Sequence, residues 1–109
     1  MVSAMTASLS VPHFHFMDEY PVDRLIEARR ALANDPKLRG AKLTLLPFVI
    51  KAISLALASS DGAHAAVNAS LSEARDALVL HADHNIGVAI DTQRGLVVPV
   101  VRRVQDLSV

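Results

Sequence analysis

The longest apolar segment of the chain runs from Leu43 to Ala58 and carries a single charge, on Lys51. As a helix it would be apolar nearly all round, so we expect it to be buried on most sides, with the rest of the chain packed against it. It is shorter than the roughly 20 apolar residues that a membrane-spanning helix needs. Thr44 is a candidate N-cap, and Pro47 would lie in the first turn, where its missing N–H group costs nothing. The pattern predicts the central helix of a globular domain.

A second helix is predicted over Val22–Leu32. Pro21 suits its first turn, Asp23 lies near its positive end, and Asn34-Asp35-Pro36 ends it. The apolar residues recur at helical spacing and form one stripe along this helix.

Arg29 falls on that apolar stripe with Val22 and Ile26, whereas Arg24 and Arg30 point elsewhere. Two interpretations are open from these residues alone. The arginine either lays its stem on the core and extends its head to water, or it binds an anion.

The rest of the chain shows short apolar runs between turn-forming residues, which predict strands. They are Val11–Met17, a hairpin of Asn68–Leu71 and Ala77–Leu80 around the turn Ser72–Asp76, then Asn85–Asp91, and finally Leu96–Val101, in which Pro99 indicates an edge or a bulge.

The predicted strand Asn85–Asp91 has one apolar face and one small, polar face that carries Gly87 and Asp91. A face of this kind either admits a close-lying ligand or packs tightly against a neighbouring helix. The sequence leaves both possibilities open.

Charge and composition exclude several classes of function. The 109 residues are 51% apolar, enough for one small domain or a piece of one. Eleven basic residues balance eleven acidic ones, so we expect no binding of nucleic acid or of a membrane surface through bulk charge. The absence of cysteine excludes disulfides, zinc–thiolate sites and thiol nucleophiles. The first eleven residues lack the pattern of a signal peptide, and no arginine precedes Arg24, which argues against a transit peptide.

Histidines provide the candidate metal ligands. His13 and His15 would share a strand face but have no third ligand nearby. The group His81-Ala82-Asp83-His84 resembles a cluster, yet consecutive residues of a strand or turn diverge. We therefore expect no metal site. The chain also lacks a glycine-rich phosphate loop, a nucleophile elbow and a metalloprotease helix. From these residues alone it is an α+β domain with a possible anion site.

Four segments together resemble the catalytic domain of the 2-oxoacid dehydrogenase acyltransferases: VPHFHFMDE, KLTLLPFVIKAISLAL, VNASL and HNIGVAIDTQRGLVVPVVRRVQDLS. The HF-x-x-x-DE opening and the HNIGVAIDT block are most similar to the branched-chain members. The resemblance implies an α+β fold like that of chloramphenicol acetyltransferase, a mixed sheet flanked by helices. It also implies a homotrimer that assembles into a larger core with decarboxylase and dihydrolipoamide dehydrogenase partners.

The resemblance covers only the first part of that domain, so residues 1–109 are expected to be its N-terminal part, without a lipoyl or peripheral-subunit-binding domain. The family's catalytic motif, His-x-x-x-Asp-Gly, is absent. The one Asp-Gly pair is Asp61-Gly62, and Leu57 stands where the histidine would be. We therefore assign no catalytic residue in this chain and predict that it is inactive alone.

Arg29, Thr44 and Asp91 match family positions that contact coenzyme A. The resemblance implies that the arginine and the hydroxyl bind phosphate, and that the carboxylate binds a hydroxyl or amide donor. Thr44 replaces the serine common in branched-chain members, which keeps the hydroxyl.

The implied activity is transfer of an acyl group, of branched-chain type, between dihydrolipoamide and coenzyme A, with the lipoyl group carried on a domain outside this chain. The alternative is a non-catalytic module that binds coenzyme A or a partner protein. The expected location is the mitochondrial matrix in a eukaryote or the cytoplasm in a bacterium.

Overall fold

The computed structural model describes residues 2–59 and 67–109, which form helices in the first half and short antiparallel strands in the second. Among them, no helix is long and apolar enough to cross a membrane. The helices are α1 Val2–Leu9, α2 Asp23–Leu32 and α3 Leu46–Leu57, with 3-10 helices at Pro36–Leu38 and Val104–Asp106; the strands are β1 Ala69–Leu71, β2 Leu78–Leu80, β3 Ile86–Gly87, β4 Ile90–Thr92, β5 Gly95–Val97 and β6 Val100–Val101.

Helix α2 confirms the second predicted helix, including its end. Asp23 lies in the first turn, where a carboxylate faces the positive end of the helix. After the helix, the Asp35 carboxylate accepts a hydrogen bond of 2.8 Å from the Lys37 N–H and caps the following 3-10 helix, which begins with Pro36. The predicted stop at Asn34-Asp35-Pro36 is therefore an Asx cap followed by a proline.

The N-cap of helix α3 lies one residue later than predicted. Leu45 occupies the N-cap position, and no side chain caps the helix. The prediction of Thr44 as N-cap was wrong because the third residue after it is Pro47, which has no N–H group to donate to a capping hydroxyl. Pro47 does lie in the first turn, as predicted.

The prediction that this helix is buried on most sides was also wrong for the described residues. Ser54 is its one buried residue, and the side chain of Leu55 is 62% exposed. The accessible surface of the chain is 9667 Å², against roughly 5,900 Å² for a compact monomer of this size. Its radius of gyration is 17.2 Å, against roughly 13 Å. The described elements are thus too few to cover the apolar faces of α3.

We expect the 109-residue chain to self-associate when it is prepared alone, because apolar side chains at this density gain free energy by leaving water. Sedimentation velocity should show oligomers, and the chain should bind a hydrophobic dye. A Leu55→Lys variant should shift the distribution towards monomer. A monomeric chain that binds no dye would contradict this expectation.

The predicted strand Val11–Met17 is absent: this segment has no regular secondary structure, and Phe14 is 88% exposed. Alternation of apolar and polar residues predicts which face of a strand is buried, but a strand forms only when another strand satisfies its N–H and C=O groups. No strand within residues 2–59 supplies that pairing.

The hairpin of β1 and β2 confirms the prediction for residues 68–80. The strands pair antiparallel, with Ser70 opposite Val79. The Ser72 hydroxyl donates to the Asp76 carboxylate at 2.7 Å and accepts from the backbone N–H of Asp76 at 3.2 Å, which closes the turn. Local side chain to backbone bonding of this kind is why serine and aspartate favour turns.

The two predicted strands after residue 84 form one antiparallel hairpin that is interrupted halfway. Ile86 faces Val101 in the first ladder and Ile90 faces Val97 in the second, so both ladders share one register. Pro99 indicated an edge or a bulge, and the structure instead has a break in both strands, one opposite the other. Pro99 causes the break because it has no N–H to donate, although its carbonyl still accepts from the Val88 N–H at 3.0 Å.

Gly87 lies at a close approach within this long hairpin. A Cβ atom added there would lie 3.0 Å from Cγ1 of Val98. The small face of the predicted strand therefore meets a side chain of the opposite strand segment at this point, rather than a helix. The packing at this point favours glycine, because a Cβ atom would press on the Val98 side chain.

Candidate functional site

Arg29 reaches the backbone just before α3. Its Nη1 donates to the carbonyl oxygen of Leu43 at 3.2 Å, in a partly buried position. The guanidinium is thus neither fully in water nor reserved for a ligand, since one of its N–H groups is committed to the protein. A guanidinium has five N–H donors, so this bond leaves most of them for another acceptor.

Thr44 follows the carbonyl that Arg29 binds. Leu43 is 9% exposed and its neighbours Lys42 and Thr44 are exposed, so the side chains alternate as in an extended segment. The Thr44 hydroxyl takes part in no hydrogen bond with the described residues, because α3 does not use it as a cap. The guanidinium of Arg29 thus reaches the residue that precedes Thr44.

Asp91 lies elsewhere, on the exposed strand β4, opposite Leu96 of β5. Within residues 2–59 and 67–109, no hydrogen bond or ion pair joins its carboxylate to Arg29 or Thr44. Of the three predicted coenzyme A residues, Arg29 bonds to the backbone next to Thr44, and Asp91 lies apart from both on the long hairpin.

Lys51 is a structural residue that the sequence analysis marked only as a lone charge. Its Nζ donates to three backbone carbonyl oxygens, those of Val104 at 3.1 Å, Gln105 at 3.1 Å and Leu107 at 2.6 Å. Of these carbonyls, that of Val104 also accepts from the Leu107 N–H at 3.2 Å, which closes the 3-10 helix Val104–Asp106, whereas those of Gln105 and Leu107 lie at and beyond its end. A single charge in an apolar helix is the signal that such a residue has a fixed partner.

Ser54 lies one turn after Lys51 and hydrogen-bonds His84: its Oγ is 2.8 Å from Nδ1 of the imidazole. Ser54 is 1% exposed and His84 is 8% exposed, which makes them the buried polar residues of the described chain. The signals for both in the sequence are weak, a serine inside an apolar helix and a histidine in a candidate cluster.

The base of the long hairpin is closed around His84 by three further bonds. The His84 N–H donates to Oε1 of Gln105 at 2.9 Å, and its carbonyl accepts from the Val104 N–H at 3.0 Å. The Arg103 N–H donates to Oδ1 of Asn85 at 3.0 Å. These bonds join the residues just before the first strand of the hairpin to those just after its last strand.

The group His81-Ala82-Asp83-His84 divides its side chains among three partners. His81 Nε2 is 3.0 Å from the Ser70 hydroxyl, and Asp83 accepts from Nε2 of Gln105 at 3.1 Å, whereas His84 faces Ser54. In the part of the chain that the structure describes, no three histidine, aspartate or glutamate side chains could hold a metal ion.

An open cavity of about 560 Å³ lies beside this group, lined by Asn68, Leu80, His81, Ala82, Asp83 and Asn85. Several of its polar groups already have protein partners: the Asn68 amide donates to the carbonyls of His81 at 2.7 Å and Asp83 at 3.2 Å. None of Arg29, Thr44 and Asp91 lines this cavity.

Outside the candidate site, exposed hydrogen-bond partners shift the pKa values of Arg103, Asp18 and Tyr20. The Asp106 carboxylate, which accepts from Nε of Arg103 at 2.7 Å, raises the pKa of Arg103, and the charge of Asp83 adds to this. A hydrogen bond from the Tyr20 hydroxyl lowers the pKa of Asp18 and raises that of Tyr20. These groups are exposed and do not contact Arg29, Thr44 or Asp91.

The family model of the 2-oxoacid dehydrogenases acyltransferase catalytic domain matches residues 1–109, the whole chain. The chain belongs to this family. Among curated relatives, the chain is 40% identical over 109 residues to the mitochondrial lipoamide acyltransferase component of the branched-chain alpha-keto acid dehydrogenase complex of Bos taurus, covering 100% of this chain and 22% of that protein.

Two solved acyltransferase structures are similar to this one. The dihydrolipoamide acetyltransferase of Azotobacter vinelandii is 32% identical with a TM-score of 0.82, covering 98% of this chain and 44% of that one. A cubic core of the pyruvate dehydrogenase multienzyme complex is 32% identical with a TM-score of 0.78, covering 98% and 44%. The mixture of helices and strands predicted from the sequence is confirmed, and the chain spans less than half the length of the relative and the two structures named above.

Proposed function

We propose that this chain is the N-terminal part, residues 1–109, of the catalytic domain of a dihydrolipoamide acyltransferase. The protein would transfer an acyl group between dihydrolipoamide and coenzyme A within a 2-oxoacid dehydrogenase complex. The family match over the whole chain supports the class, and the 40% identity to the branched-chain component of Bos taurus supports a branched-chain acyl group.

Coenzyme A is the proposed ligand of Arg29, Thr44 and Asp91. The observation that supports this proposal is the Arg29 to Leu43 hydrogen bond, which holds the guanidinium at the residue before the exposed Thr44. A guanidinium with remaining donors and a hydroxyl together suit a phosphate oxyanion. The Asp91 carboxylate suits a hydroxyl or amide donor of the same ligand.

In the proposed reaction, a base takes the proton of the attacking thiol, and the sulfur adds to the thioester carbonyl carbon. The tetrahedral oxyanion then collapses, the bond from carbon to the leaving sulfur breaks, and the proton passes to that sulfur. The chain carries no His-x-x-x-Asp-Gly motif to supply the base, and Asp61-Gly62 lies outside the described residues. Ser54 and His84 do not replace it, because Ser54 is 1% exposed and cannot reach a substrate.

The architecture and assembly are part of the same proposal. We expect the complete domain to have the mixed sheet flanked by helices of chloramphenicol acetyltransferase, in homotrimers that build a larger core. The similarity to a cubic core of a multienzyme complex supports such an assembly. Decarboxylase and dihydrolipoamide dehydrogenase components would be its partners, with the lipoyl group on a separate domain. The matrix is proposed for a eukaryotic source and the cytoplasm for a bacterial one.

An acyl-transfer assay on two samples tests this function. The complete gene product should transfer a branched-chain acyl group from acyl-coenzyme A to dihydrolipoamide, whereas the 109-residue chain should show only the uncatalysed rate, because it lacks the base. Transfer by the short chain would contradict the assignment of no catalytic residue. A complete gene product that binds coenzyme A but transfers nothing would favour the non-catalytic binding module.

A further inference from the structure

Two polar side chains of α3, those of Lys51 and Ser54, hold the base of the long hairpin. They are three residues apart and therefore lie on the same face of the helix. Lys51 binds the carbonyls of Val104, Gln105 and Leu107, which follow the last strand, and Ser54 binds His84, which precedes the first. We call this set of contacts the α3 clamp.

Apolar contacts alone would leave the placement of the hairpin on α3 poorly defined, since they are not directional. A buried hydroxyl and imidazole are costly unless they meet, so their bond of 2.8 Å admits one arrangement. The three carbonyls around the Lys51 ammonium fix a second point on the same helix. Two points define both the position of the hairpin base along α3 and its direction.

The two proposed parts of the coenzyme site meet on this helix. The Arg29 to Leu43 bond attaches α2 to the segment that leads into α3 and places Thr44 there. The clamp attaches the hairpin that carries Asp91 to the body of α3. Helix α3 is therefore the frame through which the position of Asp91 is related to that of Arg29 and Thr44.

We propose that Lys51, Ser54 and His84 are positioning residues, which hold Asp91 at the distance from Arg29 and Thr44 that coenzyme A requires. This inference rests on the proposed coenzyme site, and the clamp itself can be tested independently of any ligand.

A distance measurement in the complete gene product tests the clamp. The 109 residues contain no cysteine, so Leu55→Cys on α3 and Gln93→Cys in the hairpin turn take spin labels without background from this part of the protein. We expect one narrow distance distribution in the otherwise unchanged protein and a broader or shifted one with Ser54→Ala. Alanine is the best helix former, so α3 should be kept. His84→Asn, whose amide can lie where Nδ1 does, should keep the distribution narrow.

Ser10→Ala, at an exposed hydroxyl outside the clamp, is the matched control and should leave the distribution unchanged. A distribution that Ser54→Ala leaves as narrow and centred as before would overturn the clamp, whatever happens to ligand binding.

Calorimetry with coenzyme A tests the positioning role. Ser54→Ala should weaken binding by roughly 3- to 10-fold, the ratio that the loss of one hydrogen bond gives. In an Asp91→Ala background, which removes the acceptor, the same change should have little further effect, because the clamp acts through Asp91. Full additivity of the two changes would overturn the positioning role. If Asp91→Ala alone leaves affinity unchanged, the proposed coenzyme site is wrong, and the spin-label distances still decide whether the clamp fixes the hairpin.

Discussion

Replacement of Arg29 by methionine should weaken the binding of coenzyme A to the complete gene product by about 10- to 150-fold. This range corresponds to about 1.5 to 3 kcal/mol, the usual contribution of a hydrogen bond to a charged group. Methionine keeps the packing of the stem on α2 but removes every N–H donor. Isothermal titration calorimetry measures the effect directly.

The stability of the ligand-free protein should fall only slightly with this change, by about 1 kcal/mol, because the one hydrogen bond lost is that to the Leu43 carbonyl. Arg30→Met is the matched control, since Arg30 is the next residue of the same helix and is exposed. Unchanged affinity for coenzyme A together with a large fall in stability would show that Arg29 has a structural role alone.

Lys51→Met should lower the free energy of unfolding of the complete gene product by about 1.5 to 3 kcal/mol. The substitution keeps the length of the side chain but leaves three carbonyl oxygens without their ammonium donor. The loss stays below the sum of three separate bonds, because the carbonyl of Leu107 is exposed and water can replace the donor there. Urea denaturation at equilibrium measures it.

Lys37→Met provides the comparison for this variant, because the Lys37 side chain is exposed and no hydrogen bond from its ammonium group is formed within the described ranges. It should change stability by less than about 0.5 kcal/mol. Equal effects of the two substitutions would mean that the carbonyls of residues 104, 105 and 107 gain nothing from the lysine.

Local signals predicted the elements whose hydrogen bonds are local. The residues that begin, end or turn these elements lie within them or next to them: Asp23 and Asp35 for helix α2, and Ser72 for the β1–β2 hairpin. The segment Val11–Met17 was mispredicted because its alternation is a strand signal that needs a distant partner. The break at Pro99 was half predicted: the proline indicated it, but the matching break in the opposite strand depends on pairing.

The candidate site shows the same limit. Arg29 stood out because a charge on an apolar stripe is unusual, and in the structure it bonds to the carbonyl of Leu43, the residue before Thr44. The bond between Ser54 and His84 joins residues 30 positions apart, and nothing in a single sequence pairs them. Lys51 was noticed as a lone charge, yet its three acceptors are backbone carbonyl oxygens. Every residue has such an oxygen, so the sequence cannot identify the ones that bind the lysine.

The shared register of the two hairpin ladders constrains the number of residues in the break between them. Asp91 is on the same face as Gly87 because an even number of positions separates them, and successive side chains of a strand alternate. Insertion or deletion of one residue between Gly87 and Ile90 would end the register that the two ladders share, and a β-bulge or a shifted pairing of β4 with β5 would have to absorb it. Among descendants of this sequence, the break should therefore tolerate changes of side chain far better than changes of length.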